Sequence, residues 1–161
     1  MSRSGARARI QGEIEPLTLA TFLPYRLSVL SAVVSDGLAR TYAERYGIGI
    51  PEWRVLATVG EFRSITAKAI GIHAHMGMVK VSRAAAALEA RELIRRLPNE
   101  DDLREAFLIL TPAGEIMYDE IAPLALSYQA ELTAEFSADE GRELDRLIGK
   151  LLRRAKEKLG S

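Results

Sequence analysis

Residues 63–83 carry a net positive charge and contain no acidic residue. They include Arg63, Lys68, Lys80 and Arg83, and the two histidines among them can add further charge. Guanidinium and ammonium groups bind nucleic-acid phosphates, and arginine also reads guanine edges through two hydrogen bonds. The alternative is that these side chains form the ordinary solvated side of a helix. The segment is a candidate nucleic-acid contact on these grounds.

The C-terminal third has the opposite charge. Between residues 113 and 146, nine acidic residues are opposed only by Arg142 and Arg146. Over the whole chain 22 basic and 22 acidic residues balance, which excludes a uniformly basic, histone-like surface but not a local basic patch. Such segregation is typical of a protein that turns one face toward a polyanion, although two differently solvated surfaces would give the same pattern.

The composition limits the class of protein. A chain of 161 residues and 17.7 kDa suits one domain or one compact subunit, and 48% hydrophobic with 27% charged residues is ordinary for a globular protein. Because the chain has no cysteine, disulfides, thiolate nucleophiles and cysteine-based metal sites are excluded. No apolar run has the length of a transmembrane helix, and none follows the N-terminal arginines as in a signal peptide. We therefore expect a cytoplasmic protein.

The N-terminal part of the sequence predicts an arm followed by a long helix. Residues 1–15 are polar and arginine-rich, which predicts a mobile N-terminal arm. Apolar residues then recur every three or four positions from Leu19 to Leu38, which predicts an amphipathic helix. Gly47 supplies its stop signal, and Pro51 opens a second helix at its first position.

Two shorter helices joined by a tight turn are predicted next. Thr66 has the side chain of an N-cap for a helix that ends near His73, and Gly77 precedes a helix from about Met78 to Arg91. Three apolar residues of this last helix are expected to face inward. They are Val81, Ala85 and Leu88.

The pattern changes to short β-prone segments after Leu93. Residues 94–97 and 106–110 are apolar or alternating, and the turn-rich stretch 98–102 lies between them, which predicts an antiparallel hairpin. Thr111 and a following proline then begin a fifth helix. A capping box at Ser137 begins the sixth.

The expected fold class is therefore mainly α with a small β wing. Residues 51–111 have the layout of a winged helix-turn-helix domain. The flanking segments, residues 16–50 and 112–161, are predicted to form a helical dimerisation region, because their apolar stripes exceed what one small domain can cover.

Several segments, in this order and spacing, point to one family. They are Phe22-Leu23-Pro24-Tyr25-Arg26-Leu27, Pro51-Glu52-Trp53-Arg54-Val55-Leu56, Val79-Lys80-Val81-Ser82-Arg83 with Leu88-Glu89-Ala90-Arg91, and Leu110-Thr111-Pro112-Ala113-Gly114. With them the chain resembles the MarR family of bacterial transcription regulators over about residues 17–155. The resemblance implies a homodimeric winged-helix DNA binder, usually a repressor and often released by a small molecule.

The resemblance also implies which residues contact DNA. The fourth helix corresponds to the recognition helix, so Met78, Lys80, Ser82 and Arg83 are expected at the major groove. The alternative for them is again a solvated helix side. The chain departs from many relatives at Gly77, where they have an Asp or Ser cap.

A wing motif of Asp, any residue, then Arg is matched by Asp102-Leu103-Arg104. The resemblance makes Arg104 the expected minor-groove contact and gives Asp102 the task of steadying the wing. Many relatives have a second arginine where this chain has Leu103, so the wing is less basic.

Two further positions are candidates for phosphate contact. Arg95 and Arg96 are adjacent in a strand and must point to opposite faces, so that one can touch phosphate while the other pairs with an acid. Thr66 begins a helix whose N–H groups could meet a phosphate, although its role as a cap is sufficient to explain it.

An effector site is predicted from aromatic and arginine neighbours. Tyr25 and Arg26 lie early in the first helix, and Trp53 and Arg54 early in the second. Aromatic rings supply apolar area and a guanidinium can hold a carboxylate, so we expect a small, partly aromatic, anionic ligand. The alternatives are an ordinary aromatic core, which would include Tyr118 and Tyr128, and arginines that bridge to neighbouring acids such as Glu52 or Asp36.

The sequence gives little support for a metal site, a cofactor or an enzyme. His73 and His75 would be half of a metal site at best, so we predict no metal and no cofactor. No glycine-rich phosphate loop and no G-x-S-x-G motif occurs, so no enzyme is expected. The sequence predicts a transcription regulator that binds a pseudo-palindromic operator in double-stranded DNA as a homodimer. The alternative is a ligand-binding helical dimer that acts through protein partners without binding DNA.

Overall fold

A computed structural model describes residues 16–102 and 104–160 of the protein, and in them it shows six helices and a small antiparallel sheet. The predicted arm, residues 1–15, and Leu103 lie outside the described residues. The elements in chain order are α1 (Leu23–Tyr46), α2 (Ile50–Phe62), β1 (Ile65–Thr66), α3 (Ala67–His73), α4 (Met78–Ala90), β2 (Ile94–Pro98), β3 (Ala106–Leu110), α5 (Pro112–Leu132) and α6 (Ala138–Leu159).

The helix ends follow local signals in the sequence. Gly47, which follows α1, has a φ of 63°, a left-handed conformation that glycine adopts without strain. Thr111 caps α5 by accepting a hydrogen bond from the Gly114 N–H at 3.1 Å. Ser137 and Glu140 form the reciprocal capping box of α6. The predicted helix boundaries are confirmed at these points.

The sheet has three strands, and not only the two of the predicted hairpin. β2 and β3 pair antiparallel with Ile94 opposite Leu110, and β1 pairs with the other edge of β3 through Ile65 opposite Leu108. The prediction of a two-stranded sheet was incomplete here. A two-residue strand is too short to show alternation, and its partner lies about forty residues further along the chain.

The chain divides into two compact units, Met1–Ser35 and Asp36–Ser161, and the boundary falls inside α1. The second unit has a continuous apolar core to which α1, α2, α3, α4, α5 and the sheet contribute. The largest side chains buried in it are Tyr42, Leu56, Ile70, Leu88, Ile94, Leu108 and Ile121.

The connection from β3 to α5 passes close to the end of α4. The Thr111 hydroxyl donates a hydrogen bond to the Glu92 carbonyl at 2.5 Å, and the Thr111 N–H donates to the Leu93 carbonyl at 3.0 Å. A Cβ at Gly114 would overlap the same Leu93 carbonyl oxygen. Glycine is therefore required for this close approach, which fixes the sheet and α5 to the segment that follows α4.

Apolar side chains remain exposed on the flanking helices. In the first unit the predicted stripe of α1 is exposed at Leu23, Leu27 and Leu30. Leu19, which was predicted to belong to this helix, is also exposed but lies in the turn before α1. In α6 no residue is buried.

Candidate nucleic-acid interface

Helix α4 has a buried side and an exposed side. Val81, Ala84, Ala85 and Leu88 are buried at helical spacing, which confirms the predicted inward positions. The four predicted DNA contacts of the helix all lie on the exposed side. They are Met78, Lys80, Ser82 and Arg83. The helix is thus anchored along one side and presents polar and basic groups along the other.

The turn before α4 is held by the short helix α3. The Thr66 hydroxyl accepts a hydrogen bond from the Ala69 N–H at 3.2 Å, so Thr66 is the cap of α3. At the other end His75 has a left-handed φ of 51°, and the Met76 N–H donates to the Gly71 carbonyl at 2.9 Å. These bonds fix the direction in which α4 leaves the turn. The predicted contact of Thr66 with phosphate stays a prediction.

A groove of about 700 Å³ lies where the N-terminal ends of α2 and α4 meet. Its lining residues are Pro51, Glu52, Gly77, Met78, Val79, Lys80, Arg83 and Ala84. The groove has two cationic side chains, Lys80 and Arg83, and one carboxylate, that of Glu52. The Glu52 carboxylate already accepts a hydrogen bond from the Gly49 N–H at 3.0 Å. Gly77, at the N-cap of α4, offers no side-chain cap, so the first N–H groups of the helix lack a cap from this residue. The groove therefore suits an anion.

The wing tip is built by two side chains that bind backbone. The Asn99 Oδ1 atom accepts hydrogen bonds from the N–H groups of Asp101 and Asp102, at 3.1 and 3.3 Å. The Asp102 Oδ1 atom in turn accepts from the Arg104 N–H at 3.0 Å and from its Nε at 3.2 Å. The Arg104 side chain is nevertheless 91% exposed. Asp102 thus orients an arginine that projects into solvent.

The two adjacent arginines of β2 differ in their partners. Arg96 pairs with Glu89 of α4 at 3.1 Å, so it is the member that binds an acid. Arg95 is exposed and forms no ion pair with another residue in the described part of the chain. Of the two, Arg95 keeps the predicted role of a phosphate contact.

Two residues that stabilise this candidate interface were not predicted from the sequence. Asn99 is the buried polar residue of the wing, only 9% exposed, and its turn-favouring side chain was the available signal. Arg91, the C-cap of α4, donates to the Tyr46 carbonyl at 2.8 Å and to the Gly47 carbonyl at 2.9 Å. Since its acceptors lie 44 and 45 residues earlier, no local pattern predicts this bond.

The predicted effector residues of the second unit lie in or beside the aromatic core. Trp53 is 9% exposed, and its ring centroid lies 5.6 Å from Tyr42 and 6.3 Å from Tyr118. Burial raises the pKa of Tyr42 to about 12. Arg54 is half-buried on the same helix as Trp53. For Trp53 and Tyr118 the structure agrees with the alternative of an ordinary aromatic core.

The predicted effector residues of the first unit are exposed on α1. Tyr25 and Arg26 line a surface groove of about 540 Å³ whose other walls are mainly apolar. The remaining lining residues are Leu19, Ala20, Leu23, Leu27, Val29, Leu30 and Val33. This groove has the volume of a small-molecule site.

The two histidines of the turn contact an aromatic ring and solvent. The His73 ring centroid lies 4.5 Å from that of Phe62, and His75 is exposed. Within residues 16–102 and 104–160 no three acidic or histidine side chains are grouped so as to hold a metal ion. None of the helices in this part of the chain combines the length and the hydropathy of a membrane span.

A turn-linked helix pair followed by a β wing, with a long helix on either side, defines a winged helix-turn-helix protein. The family model described as MarR family matches residues 48–106. The chain is 30% identical over 105 residues to the HTH-type transcriptional regulator YwoH of Bacillus subtilis, an alignment that covers 65% of this chain and 75% of that protein. The chain belongs to the MarR family of transcriptional regulators, which are not enzymes.

Other relatives and solved structures agree with this assignment. The HTH-type transcriptional regulator MgrA of Staphylococcus aureus is 28% identical over 68% of this chain and 73% of its own length. A MarR/EmrR family regulator from Acinetobacter sp. ADP1 superimposes with a TM-score of 0.80 at 21% identity, over 88% of this chain and 99% of that one. A mutant MarR from E. coli, crystallised with operator DNA, gives a TM-score of 0.72 at 23% identity, over 81% of this chain and 93% of that one. The structures support the fold.

Proposed function

We propose that the protein binds operator DNA as a homodimer, with α4 in the major groove and the wing tip at the minor groove. The observation that carries this proposal is the two-sided character of α4. Its buried side fixes the helix to the core, while Lys80, Ser82 and Arg83 are exposed directly after the helix-turn-helix turn. The structural likeness to a MarR protein in complex with operator DNA supports the same arrangement.

The proposed DNA contacts differ in their chemistry. Arg83 can bind a guanine edge through two hydrogen bonds, whereas Lys80 and Ser82 suit phosphates or single acceptors. Arg95 and the N-terminal end of α4 add phosphate contacts. Arg104 enters the minor groove, where the charge of arginine is favoured, and Asp102 keeps its backbone and Nε oriented.

The dimer proposal has its support in the apolar surface of the flanking helices. Large apolar residues at helical spacing are exposed on α1 of the first unit and on α6. A second copy that covers them would exclude a large apolar area from water. A two-fold dimer presents its two recognition helices about 34–36 Å apart, which matches a pseudo-palindromic operator. In this proposal residues 51–111 bind DNA and the segments 16–50 and 112–161 dimerise.

Band shifts with DNA from around its own gene test the binding of DNA. Replacing Arg104 with Ala is expected to reduce the slope of log K against log salt by about 0.9 for each phosphate that the arginine neutralises in the wild type. Arg83→Ala is expected to relax preference at one base pair per half-site, at a cost of about 1–3 kcal/mol. Arg146→Ala is the matched control, because that exposed arginine pairs with Glu143 on α6.

Unchanged affinity and salt slope in both DNA-face variants would contradict the assignment of α4 and the wing. If the wild type itself shifts none of the tested DNA at low salt, the alternative of a helical dimer that acts through protein partners is favoured instead.

The proposed outcome of operator binding is repression, released by a small aromatic anion. Support for the ligand comes from the groove of about 540 Å³ on α1, where Tyr25 supplies a ring and Arg26 a guanidinium. Since the leucines of this groove also belong to the surface that the second copy is proposed to cover, the ligand would bind where the two subunits meet. Benzoate is a suitable first probe, with uncharged benzamide as its control. Benzoate is expected to raise the melting temperature and to release operator DNA, and Arg26→Ala to weaken both effects.

Linkage sets a quantitative requirement on this release. A ligand that weakens operator binding tenfold must bind the DNA-bound protein tenfold more weakly, a coupling of about 1.4 kcal/mol. Stabilisation by benzoate without any change in operator affinity would contradict the release mechanism. Full benzoate affinity in Arg26→Ala would contradict the role of that residue.

A further inference from the structure

Val79 is an apolar side chain on the outer side of helix α4. It is 67% exposed, whereas Val81 and Leu88 of the same helix are completely buried. Counting about 100° per residue, Val79 lies about 160–180° around the helix from these two residues. The Val79 side chain therefore stands on the side of α4 that is turned away from the core.

The neighbouring apolar residue Met78 is placed differently. A Cβ at Gly71 of α3 would lie 3.4 Å from the Met78 Sδ atom, so the Met78 side chain packs beside the turn between α3 and α4. Val79, in contrast, belongs neither to the buried core nor to the apolar residues packed against it. Of the two exposed apolar residues at the start of α4, Val79 is therefore the one that projects into solvent.

On structural grounds the position of Val79 favours a different residue type. A β-branched side chain loses rotamer freedom in a helix, and straight-chain residues such as lysine or glutamine have a higher helix propensity. A single exposed valine can be ordinary surface, and that is the alternative to a functional role. The side chains around Val79 favour the functional role.

Val79 and Arg83 lie on one line along the outer side of α4. They are four positions apart, which places them about 40° apart around the helix and about 6 Å apart along its axis. Lys80 is also exposed next to Val79. The single acid of α4 is Glu89, and it pairs with Arg96 at 3.1 Å. This side of the helix therefore combines positive charge with one apolar group and has no unpaired acid, which matches the major groove of DNA.

We propose that Val79 contacts the C5 methyl group of an operator thymine, within about two base pairs of the guanine that Arg83 binds. This inference rests on the DNA binding proposed above. Thymine is the base that presents a methyl group in the major groove, whereas the other groups there are hydrogen-bond donors and acceptors, which a valine side chain cannot bind. The limit of about two base pairs follows from the distance of about 6 Å along the helix and the rise of about 3.4 Å per base pair. Val79 thus adds a base preference that the charged contacts do not supply.

Selection from a pool of random-sequence duplex DNA gives the first test, with the full chain as wild type and as Val79→Ala. Alanine keeps the helix, since its helix propensity is higher than that of valine. The wild type is expected to select half-sites with a thymine within about two base pairs of the guanine. Val79→Ala is expected to lose the preference for thymine and to keep the preference for guanine.

Replacing that thymine with uracil in the selected duplex gives the direct measurement, because uracil differs from thymine only by the missing methyl group. The wild type is expected to bind the uracil duplex about fourfold more weakly per half-site, the factor that corresponds to one methyl group removed from an apolar contact. Val79→Ala is expected to bind both duplexes with nearly equal affinity. Val79→Ile keeps a branched apolar side chain and is expected to retain the discrimination.

Lys80→Ala is the matched control, because it changes the neighbouring residue of the same helix and keeps Val79. It is expected to weaken the binding of both duplexes equally and to leave their affinity ratio unchanged. A selected site without that thymine, equal wild-type affinity for the two duplexes, or an unchanged ratio in Val79→Ala would overturn the role of Val79 while leaving the DNA binding intact. A wild type that selects no sequence from the pool would overturn the proposed operator binding itself.

Discussion

Replacing Asn99 with Ala is expected to loosen the wing and so to weaken the proposed DNA binding, although Asn99 is not one of the proposed DNA contacts. The side chain is 9% exposed and its Oδ1 atom accepts two backbone N–H bonds. A hydrogen bond contributes about 0.5–1.5 kcal/mol net, so losing both costs about 1–3 kcal/mol. At about 2–4 °C per kcal/mol for a chain of this size, the melting temperature is expected to fall by about 2–12 °C.

The matched variant is Asn99→Asp, which keeps an oxygen acceptor in the same place. It is expected to lose less stability than Asn99→Ala in denaturant unfolding at fixed protein concentration. Hydrogen exchange localises the effect, because the amides of Asp101 and Asp102 are expected to exchange faster in the alanine variant while those of α4 keep their protection.

A double-mutant cycle with Arg104→Ala measures the effect on DNA. If Asn99 acts by holding the turn that presents Arg104, the double variant binds DNA no more weakly than Arg104→Ala alone. Additive losses would refute this reasoning, as would an Asn99→Ala protein that melts early but binds DNA with wild-type affinity and salt dependence.

Three further substitutions test the fold. Gly114→Ala must displace the Leu93 carbonyl, so a loss of about 1–3 kcal/mol is expected in denaturant unfolding; wild-type stability would mean that the β3–α5 connection yields easily. Arg63→Gly relieves a non-glycine φ of 66° and is expected to stabilise the fold by about 1 kcal/mol, whereas Arg63→Ala keeps the strain and is the control. Burial raises the pKa of Tyr42 to about 12 from its usual value near 10, so the unfolded chain releases this proton first. The stability that comes from this pKa shift is fully present below pH 10 and is lost as the pH rises toward 12. In Tyr42→Phe this part of the loss of stability at alkaline pH is expected to disappear, as measured by circular dichroism.

The helical framework was predictable because its signals are local. Thr66, Thr111 and Ser137 each place a hydroxyl at a helix start and bind an N–H three residues later, as the sequence predicts. The spacing of Val81 and Leu88 likewise determines which side of α4 is buried. Short-range capping and periodicity are physical properties of a few consecutive residues, so they can be read without the rest of the chain.

Features that depend on distant residues were not predictable. Strand β1 forms because Ile65 pairs with Leu108. The two residues of this strand are too few to carry a sequence pattern that would predict the pairing. The hydrogen bonds from Arg91 to the end of α1 likewise join residues that are far apart in the sequence. Whether aromatic neighbours such as Trp53 form a pocket or a core also depends on residues from three helices, so the sequence left both alternatives open.

The two hydrogen bonds of Arg91 join the C-terminal end of α4 to the last carbonyls of α1. The predicted DNA contacts lie toward the opposite end of this helix of 13 residues. A helix of that length is about 20 Å long, so a tilt of about 5° about its C-terminal end would displace its N-terminal end by about 1.7 Å. This displacement is about half the rise of one base pair. Under the DNA-binding mode proposed above, a movement at the end of α1 that tilts α4 would therefore be enlarged at the DNA.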